Sequence, residues 1–179
     1  MGNSVLKNRV STAEEAAASI QDGMTVAMSG YAMAGYPKAV VEALVQRKQA
    51  GEDLTFGLIT GATVPWLDEK LGAERTITRR SPILARRTLA ALANNGSLSY
   101  VEQLMSKMPR MLRSGCFGRI DVAVVEALGF DDNGDLIPTS SIGMTHYLMD
   151  EADEVIVEIN TAQPEALRRL HDIYIPVAA

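Results

Sequence analysis

The sequence predicts an α/β fold: one open, mostly parallel sheet flanked by helices, in a single domain over residues 1–179. Three observations carry this. The apolar runs Met24 to Met28 (MTVAM), Leu54 to Thr60 (LTFGLIT) and Ile120 to Glu126 (IDVAVVE) read as strands buried on both faces. Segments of helical period lie between them. Aromatic residues are only 5% of a chain that is 47% hydrophobic, which disfavours an aromatic-rich β-sandwich.

The elements follow in order. Ser11-Thr12-Ala13-Glu14 reads as a capping box, with the Ser11 hydroxyl and Glu14 three apart. Ala16, Ala17 and Ile20 then share a face of a first helix, which Asp22-Gly23 ends. After MTVAM comes the loop SGYAMAGYPK, then a helix from Pro37 to Gln49 with Val40, Val41, Leu44 and Val45 as its buried stripe. LTFGLIT leads into Gly61-Ala62-Thr63 and a short helix from Trp66 to Leu71. Residues 75–80 make a third strand, Arg86 to Ala93 a helix, and Gly96 to Tyr100 a short strand. Val101 to Leu112 is helical in pattern but should bend or stop at Pro109. Asp132-Asn133-Gly134-Asp135 marks a tight turn after IDVAVVE, and Leu136 to Ser140 returns from it. A helix over Thr145 to Glu151, a strand over Glu154 to Asn160 and a last strand over Ile173 to Val177 complete the chain.

Composition excludes several functions. Net charge is −5 and the pI about 5.1, so a nucleic-acid backbone is an unfavourable partner. The basic group Arg79, Arg80, Arg86, Arg87 is expected to be a solvated helix start and flank; a role beside an anion is the alternative. The single cysteine, Cys116, forms no internal disulfide and is expected to pack as a small hydrophobe. Two histidines, His146 and His171, without a Cys/His cluster give no expected metal site. MGNSVLKNRV has no apolar core of a signal peptide, and no apolar run reaches the roughly 18 residues of a membrane span. A cytoplasmic protein without a membrane partner is expected.

Candidate chemistry gathers at strand ends, where open α/β sheets bind ligands. Ser29-Gly30 follows one strand and Gly61-Ala62-Thr63 another, each placing glycine where backbone can approach a ligand. The first loop also opens a helix, whose N–H groups favour an anion or oxyanion. Gly30-x4-Gly35 resembles a P-loop opening, but Tyr36 and Pro37 follow, Lys38 comes late, and no Ser or Thr comes after it to hold Mg²⁺. Nucleotide hydrolysis is rejected on those grounds. A ligand-free strand-to-helix turn is the alternative for this first loop; two similar loops favour a small-molecule site. Glu126 ends IDVAVVE, where a carboxylate would face a ligand crevice; a solvated carboxylate, or one bonded to a neighbouring loop, is the alternative. Thr139-Ser140-Ser141-Ile142-Gly143 is a hydroxyl-rich turn, or simply an N-cap.

SGYAMAGYPKAV is similar to the SGF-x-x-AG-x-PK segment of the acetyl-CoA hydrolase/transferase family, which includes succinyl-CoA:acetate-type CoA-transferases. LITGAT, IDVAVVEA, IPTSSIG, and EVIVEINTAQP followed by HDIYIP continue the resemblance in order. It implies the N-terminal half of a class I CoA-transferase, with the active site in a cleft between two related α/β halves. It implies covalent catalysis through a glutamyl-CoA thioester. The nucleophilic glutamate belongs to the C-terminal half, so no catalytic residue is expected in this chain. The resemblance implies substrate-binding roles for Ser29, Gly30, Gly35, Tyr36, Pro37 and Lys38, for Gly61 and Thr63, and for Glu126, Ser140 and Ser141. Coenzyme A enters as the acyl carrier, with no metal. The implied partners are acyl-CoA, a small carboxylate, the C-terminal half of the enzyme or a separate subunit, and a further copy in a homo-oligomer.

Three positions depart from the family pattern towards apolar residues: Leu84-Ala85 after Arg80-Ser81-Pro82-Ile83, Leu104, and Met144. They point to a less polar acyl group. A non-catalytic module of the phosphosugar-sensing type is the alternative function, and a phosphosugar isomerase a further one. The first wants a loop richer in N–H and hydroxyl donors, and the second an internal acid/base pair.

Overall fold

Residues 9–84 and 87–177 are described in a computed structural model. Seven strands form one sheet: β1 (Thr25–Met28), β2 (Phe56–Thr60), β3 (Ile77–Ser81), β4 (Ser99–Tyr100), β5 (Ile120–Phe130), β6 (Leu136–Pro138) and β7 (Ala152–Ile159). The path is β4-β3-β2-β1-β5-β6, with β7 also paired to β5. All pairings are parallel except the β5–β6 hairpin. Val122 pairs with both Val26 and Glu154, so β1 and β7 lie on opposite edges of β5. Ala127 pairs with Ile159 and Pro138, so β6 continues along the edge that β1 leaves. β1 therefore stops early, and its following loop turns out of the sheet beside a strand that runs on.

The period of two along each strand sorts the core. Val26, Met28, Leu58, Val122 and Val124 pack beneath α1 (Ala13–Ala18), α2 (Ala39–Gln49), α3 (Pro65–Ala73) and α4 (Arg87–Asn94). Ala27, Ile59 and Ala123 face the other way, under α5 (Met108–Arg113) and α6 (Thr145–Glu151). Both faces are covered, which is why the strands read as unbroken apolar runs. No helix among the described residues is long and apolar enough to cross a membrane.

Several expectations change. The capping box lies one residue later than expected: Glu15 N–H donates to Thr12 Oγ1 at 3.2 Å, and Thr12 N–H to Glu15 Oε2 at 3.0 Å. Pro37 precedes the helix rather than entering it, because α2 begins at Ala39. Pro109 stands in the first turn of α5 and starts that helix, where its missing N–H costs nothing. The segment 173–177 forms no strand; Ile175 accepts one hydrogen bond from Leu136 N–H at 3.0 Å. β5 continues past Glu126 to Phe130. Cys116 is exposed beside Ser114, on a turn with no core to enter.

The arginine group also differs from expectation. Arg79 and Arg80 lie on β3, not on a helix. Arg79 is half-buried and donates to Thr25 Oγ1 at 2.8 Å. Arg80 is wholly buried, with Asp68 of α3 opposite it at 3.1 Å. Arg87 is exposed, and Arg86 lies outside the described residues.

Candidate functional site

Three loops meet at the carboxyl ends of β1, β2 and β6, beside Glu126 of β5: residues 29–38, residues 61–63, and the turn 139–143. Glycine sets how closely they pack. A Cβ on Gly61 would stand 2.6 Å from the Gly30 carbonyl oxygen. Gly35 has φ +67°, and a Cβ there would stand 2.6 Å from the Ser141 carbonyl oxygen. The glycines expected to admit a ligand thus also admit backbone from the neighbouring loop.

Ser29 is buried and directs its hydroxyl inward. Its Oγ donates to the Gly35 carbonyl at 2.8 Å and accepts the Glu126 N–H at 3.0 Å. The loop beyond it closes on itself, with Tyr31 N–H on the Ala34 carbonyl at 2.9 Å and the reverse bond at 3.1 Å. This leaves Tyr31 and Met33 exposed at the tip, by 57% and 66%. Tyr36 is buried, with its ring 5.8 Å from that of Trp66, and Pro37 is buried beside it.

Lys38 ties this loop to β5. Its ammonium lies 4.2 Å above the Tyr36 ring, donates to the Tyr36 carbonyl at 2.8 Å, and forms an ion pair with Glu126. Glu126 is 1% exposed, and further donors hold it: Thr139 Oγ1 at 2.9 Å and Asn160 Nδ2 at 3.2 Å. The carboxylate is therefore bonded to neighbouring loops and not solvated.

Glu158, the register partner of Glu126 on β7, changes the reading of the helix N-terminus. Its two carboxylate oxygens accept the N–H groups of Lys38 at 2.7 Å and Val40 at 3.0 Å. Two of the donors expected to receive a ligand anion are thus engaged by the protein's own carboxylate.

The second loop is braced by the Arg80 guanidinium, which donates to the carbonyls of Ala62, at 3.3 Å, and Ser81. Thr63 Oγ1 is buried and makes no hydrogen bond among the described residues. In the third loop Ser140 is exposed and Ser141 half-buried, and both line a pocket with Leu167, Leu170 and His171. The turn is not an N-cap, since the capping position of α6 is Met144.

Glu158, Asn160 and Arg80 complete the cluster, although the sequence alone gave none of them a role in the site. A period of two through EVIVEIN places Ile156, Glu158 and Asn160 on one face, and polar groups at an apolar strand's end are the signal. A charged residue amid the β3 pattern is the signal for Arg80. The assembled edge offers an ammonium, hydroxyls and apolar side chains to a ligand. Among the described residues of this edge the strand-end carboxylates are engaged by the protein itself: Glu126 is enclosed, and Glu158 accepts two backbone N–H groups.

A family model for the acetyl-CoA hydrolase/transferase N-terminal domain matches residues 4–179. The chain belongs to this family. A succinyl-CoA:acetate CoA-transferase of Clostridium kluyveri is 37% identical over 177 residues, covering 96% of this chain and 32% of the relative. An acetyl-CoA hydrolase of Kluyveromyces lactis is 30% identical over 179 residues, covering 94% and 34%. The chain therefore spans about a third of the length of the curated relatives it matches. In fold it is similar to a 4-hydroxybutyrate CoA-transferase from Porphyromonas gingivalis, with a TM-score of 0.57 at 20% identity over 92% of this chain and 36% of that one. As an N-terminal domain of this acetyl-CoA hydrolase/transferase family, the chain has the mostly parallel sheet that its motifs led one to expect.

Proposed function

We propose that this chain is the acyl- and carboxylate-binding half of an acyl-CoA:carboxylate CoA-transferase or acyl-CoA hydrolase. The enclosure of Glu126, beside a Lys38 side chain that is 44% exposed, carries this reading. The edge can bind and orient an anion or a carbonyl, while its described strand-end carboxylates, Glu126 and Glu158, are both engaged by the protein. That suits one wall of a cleft whose nucleophilic glutamate comes from a second α/β half, on the same polypeptide or a separate subunit.

In the reaction, that glutamate attacks the acyl-CoA carbonyl and expels CoA thiolate, giving a mixed anhydride. The thiolate attacks the glutamyl carbonyl, releasing the carboxylate and leaving a glutamyl-CoA thioester. A second carboxylate takes CoA by the reverse sequence, or water hydrolyses the thioester. The residues of this wall fall into two groups. Lys38, Thr63, Ser140 and Ser141 supply contacts, together with Tyr36 as the surface beneath Lys38. Ser29, Gly30, Gly35, Pro37, Gly61 and Glu126 hold the loops in place. Acyl-CoA and a small carboxylate are the ligands, with coenzyme A arriving as the acyl carrier. The reading includes a cytoplasmic homo-oligomer.

A less polar acyl group belongs to the same reading, on narrower support. Met144 is buried in the core beneath the site, whereas Leu104 is 63% exposed. The phosphosugar alternative is disfavoured, since Pro37 lacks an N–H and Glu158 occupies those of Lys38 and Val40.

The full-length protein, incubated with acetyl-CoA and longer acyl-CoAs and then digested, tests this. A CoA adduct on a glutamate outside residues 1–179, with acyl transfer to a carboxylate or water, is expected. An adduct on Glu126, or no turnover of any acyl-CoA, overturns it. A clear preference for acetyl-CoA removes the acyl-group part alone.

A further inference from the structure

Glu126 stands where three separate segments converge. Its carboxylate holds the Lys38 ammonium from the first loop, the Thr139 hydroxyl from the third, and the Asn160 amide from the end of β7. Its own N–H is fixed by Ser29. A carboxylate that is 1% exposed has its desolvation offset by such donors, and here they come from chain segments up to 88 and 34 residues away. Lys38 differs from it: its side chain is 44% exposed. Two of the three ammonium N–H groups point to Glu126 and the Tyr36 carbonyl, which fixes the direction of the third.

We propose that Glu126 is a positioning residue that aims the Lys38 ammonium at an anionic ligand group and locks residues 29–38 to the turn 139–143. The anion contact rests on the function proposed above; the locking of the loops does not. Glu126 touches no ligand in this scheme and acts through Lys38. The amide introduced by Glu126→Gln can still accept from Thr139, but its NH₂ confronts two further donors, Lys38 and Asn160. The loops then lose their common tie, while the β-sheet beneath is unaltered.

The test is a double-mutant cycle in the full-length protein with Glu126→Gln, Lys38→Met and the pair, reading KM and kcat for acetate or succinate. Glu126→Gln should raise KM about tenfold with kcat within about twofold, on the scale of a lost charge-assisted hydrogen bond. The double variant should be no worse than Lys38→Met alone. Effects that multiply, or a kcat loss at unchanged KM, overturn the proposal. Thr139→Val, which loosens Glu126 without changing charge, should raise KM by about threefold; no rise counts against the proposal even if Glu126→Gln fails to fold. If no acyl-CoA is turned over, the proposed function falls, and amide exchange then decides the positioning role. Glu126→Gln or Thr139→Val should speed exchange in residues 31–38 and 139–143 together, and unchanged exchange in either segment overturns it.

Discussion

Glu158 caps a helix that lies 118 residues before it: its Oε2 accepts the Val40 N–H at 3.0 Å, while Oε1 accepts that of Lys38 at 2.7 Å. No side chain of the adjoining loop serves that purpose, since Lys38 at the capping position makes no capping hydrogen bond. The start of α2 is therefore held from β7, and the loop between Met28 and Ala39 is fixed at both ends.

Removing that cap should cost about 0.5–2 kcal/mol, the usual range for a helix N-cap. Glu158→Ala should lower the urea midpoint accordingly without changing the slope of the transition. Glu158→Gln retains one acceptor and should lose less.

The buried Arg80–Asp68 pair is a second test. Both side chains are fully buried, so Asp68→Ala leaves the guanidinium uncompensated and should cost about 3–5 kcal/mol. Replacing both by apolar residues, as in Arg80→Met with Asp68→Leu, should cost less than Asp68→Ala alone. Denaturation of the three variants measures this. The double variant should still loosen the second loop, because the Ala62 carbonyl loses its guanidinium donor.

Gly61→Ala should destabilise the protein by about 1–3 kcal/mol. The added methyl meets the Gly30 carbonyl, and neither atom belongs to a flexible side chain that can swing aside. Gly23→Ala offers the comparison. It meets nothing nearby, so its cost comes from a φ of +80° alone. Thermal melts of the two variants separate crowding from backbone strain.

His146 on α6 supplies a pH dependence. Burial pushes its imidazole below the ordinary value; Asp150 pulls against this and Arg113 adds to it. Its Nδ1 is buried without a hydrogen bond among the described residues. A folded-state pKa below the unfolded one means that the folded state takes up the proton less readily. The contribution of His146 to stability is thus held above about pH 6.5 and lost as pH falls through the folded value. Melting at pH 7.5 and pH 5.5 should show a smaller acid loss in His146→Gln than in the parent.

The sequence by itself determined the sheet, the core and the family. Apolar runs of strand length, helical periods between them and Asn133-Gly134 in the hairpin are local signals, and most worked on their own segments; 173–177 forms no strand, and the helical pattern from Val101 is helix only from Met105. Thr145 to Glu151 was legible to the residue, and the β1 and β2 loops were legible as a paired feature of one edge. Tertiary structure decided what the loop residues do. Ser29 and Glu126 look like ligand groups until Gly35, Lys38, Thr139 and Asn160 are brought to them. A helix N-terminus looks open until Glu158 arrives, and Arg80 looks solvated until Asp68 does. The reason is physical: a buried polar atom must be paired, and partners across parallel strands lie tens of residues apart, where no local pattern records them.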